Sequence, residues 1–278
     1  MNLQTPITVE PGATLKALGF RTSYGVNWLG LQTLYLREVR RFWKVGAQTV
    51  AGPVVTALLY MMIFTVAMSG GRPPIDGFSV AVFVGPGLIM MGVLNNAFQN
   101  SSSSLMQSKM NGTAPDFLTP PLSPMELTAG FTAGAMTRGI LVGFVTAAAV
   151  WPFSRFNIAH PWAVVYFALI AALIMAEFGV LAGLWSQKFD QMAALTNFLV
   201  TPMTFLSGTF YLVDRLPEPF ATISHLNPFF YLIDGFRYGF IGKAEGSLWV
   251  GVLFSAVLAV VMTAATWRMF ATGWRLKS

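Results

Sequence analysis

The chain of 278 residues has no cysteine, two histidines and little charge, with 17 Lys and Arg and 11 Asp and Glu making up 10% of the residues. Without cysteine there can be no disulfide, thiolate metal site or thiol nucleophile. The histidines, His160 and His225, stand 65 positions apart and each lies close to a proline, a pattern without metal-ligand spacing. HExxH, GxSxG, P-loop and dinucleotide-binding motifs are all missing. Phe205 stands where an intramembrane serine protease motif ending at Ser207-Gly208 would want glycine. Soluble domains carry about 25% charged residues. Here 55% of residues are hydrophobic and the mean hydropathy is +0.61, the composition of a membrane protein.

Stretches of about 20 mainly apolar residues predict six transmembrane helices, at about 49–69, 78–98, 127–153, 162–185, 193–213 and 248–270. An even number of spans places both termini on one side. Eleven basic residues fall on that side, in the arm before the first span, the second and fourth connections and the tail. Five fall on the other side (Arg72, Arg155, Arg215, Arg237 and Lys243), and Arg138 lies inside a span. The positive-inside rule therefore predicts cytoplasmic termini. It also accounts for the net charge of +6 without a nucleic-acid partner. No charged n-region precedes a short apolar core, so no cleaved signal peptide is expected. The eight tryptophans fall near predicted span ends or in the arm, as an interfacial aromatic belt requires.

Residues 28–44 place Trp28, Leu31, Leu34, Tyr35, Val39, Phe42 and Trp43 at helical spacing, with Arg37, Arg40, Arg41 and Lys44 on another face. This pattern predicts an amphipathic interfacial helix that meets membrane lipids, after a variable cytoplasmic tail over 1–27. The connection at 100–125 is long for a helix-to-helix turn. Ser101 to Ser104 are expected to cap a short helix through Leu105, Met106, Lys109 and Met110, ended by Asn111-Gly112. Pro115, Pro120, Pro121 and Pro124 stiffen the return. Residues 216–240 are too apolar for a loop and too broken for a span. Asn227-Pro228 divides them into two short helices, predicting an extracytoplasmic re-entrant helical hairpin between spans five and six. Within the spans lie Arg138 and Glu177, residues that usually face a bundle interior. An ion pair between them is one expectation and contact with cargo the other. Gly130 and Gly134, and then Gly139 and Gly143, have the spacing that lets helices approach closely.

Three strings, VGPGLIMMGVLNNAF in the second span, LTNFLVTPMTFLSGTFYLVDRLP around the fifth and SHLNPFFYLIDGFRYGFIG after it, resemble the type-2 ABC transporter permease family, especially its bacterial inner-membrane members. The likeness runs from about Trp28 to Lys277. It implies an all-α membrane protein that forms an export pathway as a homodimer. Each copy would bind a separate cytoplasmic ABC ATPase subunit, two in all, and Mg-ATP would bind there and not to this chain. By position, Arg37, Glu38, Arg40 and Arg41 fall on the family's connecting helix, and Leu105, Met106, Lys109 and Met110 on its ATPase-coupling helix. Pro217, Asn227, Pro228, Tyr231 and Arg237 fall on its outer re-entrant gate. Glu177 belongs to no family pattern.

Two other classes compete. An ion-gradient-driven transporter is expected to carry repeated broken spans, whereas the hairpin here has no counterpart in the first half. A membrane-embedded enzyme needs convergent catalytic groups, which Glu177 and a distant His225 do not supply.

Overall fold

The computed structural model describes residues 25–68, 75, 77–113 and 121–273. These form helices α1 (Trp28–Trp43), α2 (Gly46–Met68), α3 (Val80–Met110), α4 (Pro124–Ser154) and α5 (Pro161–Trp185). The short helices α6 (Phe189–Leu195), α7 (Thr201–Phe205) and α8 (Phe220–Leu226) follow, then α9 (Pro228–Ile241) and α10 (Leu248–Thr272). There is no β-strand among the described residues. The tail over 1–24, the loop prolines Pro115 and Pro120, and the tail charges Arg275 and Lys277 lie outside the described residues.

Local chemistry sets the helix ends. Ser79 caps α3, and Ser123 caps α4 with a reciprocal bond from its own backbone to Glu126 and with Pro124 in the first turn. Asn227 caps α9, which stops at Gly242 with φ 72°, a left-handed backbone that glycine adopts without a Cβ clash.

Five helices, α2, α3, α4, α5 and α10, are long and apolar enough to cross a membrane. The fifth predicted span, 193–213, falls on α6 and α7 joined through a π-helical turn, Thr196–Val200. Pro202, lacking an N–H and crowding the carbonyl four residues back, is a physical reason for the helix to widen there. Past Phe205 the chain leaves the helix before the 3₁₀ turn Val213–Arg215.

Helix α3 is the axis of the molecule and packs most extensively against α4 and α5. Two thirds of its apolar window (67%) is buried, against 17% for α2 and for α10. Its 31 residues span about 46 Å, longer than a hydrocarbon core of about 30 Å. The predicted separate short helix near residue 105 is therefore corrected. Ser101 to Ser104 cap nothing, because α3 runs unbroken through them. The glycine spacing in α4 receives two different helices. Leu34 and Glu38 of α1 press where Cβ atoms of Gly130 and Gly134 would stand, and Val93 and Ala97 of α3 press on Gly139 and Gly143.

Candidate functional site: two polar clusters and a cleft along α3

At the Met110 end of α3, Arg37 and Arg41 from the positively charged face of α1 turn inward. Glu38 is fully buried and accepts a bond from Ser104 Oγ at 2.7 Å. Its other oxygen lies 3.4 Å from Arg41 Nε. Arg41 also donates to the carbonyl and side-chain oxygens of Asn100 at 2.6 and 2.9 Å and to Ser103 at 3.2 Å. Burial lowers the Arg41 pKa, and the Glu38 carboxylate opposes that shift. Arg37 donates to Ser108 at 3.1 Å, and Tyr35 shares a hydrogen bond with Thr137 of α4. Arg40 is exposed.

The predicted coupling residues divide here. Leu105 and Met106 are buried, while Met110 is exposed. Lys109 Nζ donates to the carbonyls of Leu184 and Ser186, at the end of α5, where cations favour the exposed carbonyls. Gln107 and Met110 are exposed near this end of α3, whereas Leu105 and Met106 face the interior.

At the Val80 end of α3, Arg237 of α9 is 2% exposed. Its guanidinium sits 3.9 Å from the Phe83 ring centroid and donates to the Gly208 carbonyl. One turn away, Asp234 accepts from the backbone N–H groups of Glu245 and Gly246 at 2.9 and 3.0 Å. Glu245 in turn accepts from Asp214 N at 2.8 Å, and burial pushes its carboxyl above the usual carboxylate range. Asn227 Nδ2 donates to Met203 O and Ser207 Oγ at 2.6 and 2.8 Å. The break between α8 and α9 is thereby tied to the segment after the π turn. Tyr231 packs its ring near those of Phe230 and Phe254, and Pro217 is exposed at the start of the segment.

Between the two ends lies a cleft of about 400 Å³ formed by α2, α3 and the π turn. Tyr60, Asn95, Asn96, Gln99, Thr196 and Asn197 give it neutral hydroxyl and amide groups. Arg138 of α4 reaches the edge of this lining, donating to Asn96 Oδ1 at 3.2 Å. The expected Arg138–Glu177 pair does not form. Glu177 of α5 is buried and accepts instead from Thr263 of α10 at 2.7 Å, because the two charges leave their helices toward different neighbours. Sequence reasoning also missed Glu126, which bonds to Asn27 N and so ties the start of α1 to α4. The Ser-Pro-Met-Glu capping box was the signal available for it.

Residues 30–241 match the family described as ABC-2 type transporter. The chain is 33% identical over 252 residues to the inner membrane transport permease YadH of Escherichia coli (strain K12), covering 90% of this chain and 98% of that protein. It is 25% identical over 240 residues to nodulation protein J of Rhizobium leguminosarum bv. viciae, covering 82% and 88%. The protein of the same name from Sinorhizobium fredii (strain NBRC 101917 / NGR234) is 22% identical over 244 residues, covering 84% and 89%. A family match that begins in α1 and ends with α9, on a bundle with five helices able to cross a membrane, means that this chain belongs to the ABC-2 type transporter family of transport permeases.

Proposed function

We propose that the chain is the membrane-spanning subunit of an ATP-driven exporter, working as a homodimer with two copies of a separate cytoplasmic ABC ATPase subunit that carries the Mg-ATP. The Met110 end of α3 faces the cytoplasm, as do both termini, and α1 lies along the inner leaflet. The segment with the π turn completes a sixth crossing. Helices α8 and α9 form a re-entrant outer gate.

The observation that carries this reading is the course of α3, which runs unbroken from the Arg237 cluster, past the cleft, to the Glu38–Arg41 cluster. A force applied at its cytoplasmic end can therefore act directly on the cleft, and on the gate through the turn at Pro86, which lies between the cleft and Phe83. ATPase closure would bias a two-state bundle by binding one state more tightly. The neutral amide and hydroxyl lining favours cargo with an uncharged hydrogen-bonding part over an ionic one. Helix interruptions of the π type recur at functional sites, and this one lines the cleft.

The test is purification of the tagged chain in mild detergents from its host. An ABC ATPase is expected in near-equal amount, with Mg-ATP hydrolysis. Asn197→Trp should keep that partner and stop export by filling the cleft. Absence of an ATPase in several detergents would overturn the coupling, and normal export by the Asn197→Trp protein would overturn the pathway.

A further inference from the structure

The four basic residues around the end of α1 are used in two ways. Arg37 and Arg41 bond inward to α3. Arg40 and Lys44 are exposed, about one helical turn apart, and neither makes a side-chain hydrogen bond or ion pair with another described residue. The one acid in α1, Glu38, is buried, so nothing on this helix offsets the two outward charges. At the elbow between α1 and α2, flanking Lys44 in sequence, lies a crevice of about 270 Å³. Phe42, Trp43, Gly46, Ala47 and Val50 line it, and Leu141 of α4 contributes to its wall. Trp43, 67% exposed, stands between the cations in sequence and also lines the crevice.

Two exposed cations with no partner among the described residues, on the turn of α1 that leads into an apolar slot, suit an anion joined to a hydrocarbon chain. We propose that the elbow binds one anionic phospholipid, its phosphate between Arg40 and Lys44 and part of an acyl chain in the crevice. This rests on the interfacial placement of α1 proposed above and is independent of cargo and ATPase. Trp43 would then lie at the boundary between headgroup and chain, where indole rings partition. A bound lipid would brace the joint between the helix that carries the Glu38–Arg41 cluster and α2, which walls the cleft.

The full-length chain is reconstituted in nanodiscs of phosphatidylcholine containing graded phosphatidylglycerol, and retained lipid is counted by native mass spectrometry. One phosphatidylglycerol per chain is expected to be retained in preference to phosphatidylcholine. Each basic residue near an anionic lipid contributes about fivefold, so Arg40→Gln with Lys44→Gln should weaken retention about 25-fold. The charge-preserving pair Arg40→Lys with Lys44→Arg should retain the lipid. Ala47→Phe keeps both charges but fills the crevice, and should also expel it. Ala47 is exposed in the first turn of α2, and an unchanged thermal midpoint in detergent would establish that the variant folds; Ala47→Leu serves if it does not. Equal retention of the two lipids would overturn the proposal. So would undiminished retention in a folded crevice-filling variant, which means diffuse surface attraction, or displacement by soluble glycerol phosphate, which means a phosphate site without a chain.

Discussion

At the Val80 end of α3 a single arginine is enclosed by an aromatic ring and a backbone carbonyl, and the acid one turn away is held by two backbone N–H groups. At the Met110 end the partners of Arg41, Arg37 and Glu38 are mostly the side chains of Asn100, Ser103, Ser104 and Ser108. Backbone partners move only if the chain path moves, so the first cluster has one arrangement. Hydroxyl partners rotate and exchange at little cost, so the second can re-pair if α1 shifts along α3. Under the proposed function, this suits the Met110 end to transmission and the Val80 cluster to a part of the gate that moves as one rigid unit.

The comparison can be broken first at the fixed end. Arg237→Ala leaves the Gly208 carbonyl unpaired and the Asp234 carboxylate without its nearby cation. The expected cost, from the cavity left at a buried site and the lost charge-assisted hydrogen bond, is about 3–5 kcal/mol, read as loss of folded protein or a large fall in thermal midpoint in detergent. A near-normal midpoint would mean that this cluster is not an organising one.

An intermediate effect is expected for Glu38→Ala, about 2–3 kcal/mol from losing hydrogen bonds to a buried carboxylate. Glu38→Gln should recover part of that loss, because the amide oxygen can still accept from Ser104. Equal loss in the two variants would show that the charge beside Arg41, not the hydrogen bond, does the holding.

The smallest effect is expected for Ser103→Ala, below about 1 kcal/mol, since Arg41 keeps Asn100. A loss comparable to Arg237→Ala would remove the distinction between a fixed and an adaptable end.

Features decided within a few residues are legible in the sequence. The break at Asn227-Pro228 appears where it was predicted, because a proline and its preceding residue restrict the backbone wherever they occur. Helix α1 and the apolar stretches that form α2, α3, α4, α5 and α10 were likewise readable from period and length. The run Ser101 to Ser104 was misread as a cap because serine favours caps when water is the alternative partner. Here α1 and α5 occupy the place of water, so Ser101 donates to the Ala176 carbonyl and Ser104 to Glu38.

The same division explains the charges and glycines. Spacing showed that Gly130 and Gly134 admit a close neighbour, but only packing made that neighbour α1. Composition marked Arg138 and Glu177 as interior, but which helix each faces depends on rotations and crossing angles set by the whole bundle, and these sent one to Asn96 and the other to Thr263. Hydropathy and local backbone preference act on one segment at a time and are written along the chain. The partners of Arg138, Arg41, Glu38 and Glu177 stand 42 to 86 residues away in the chain, and these pairings exist only once the helices have docked.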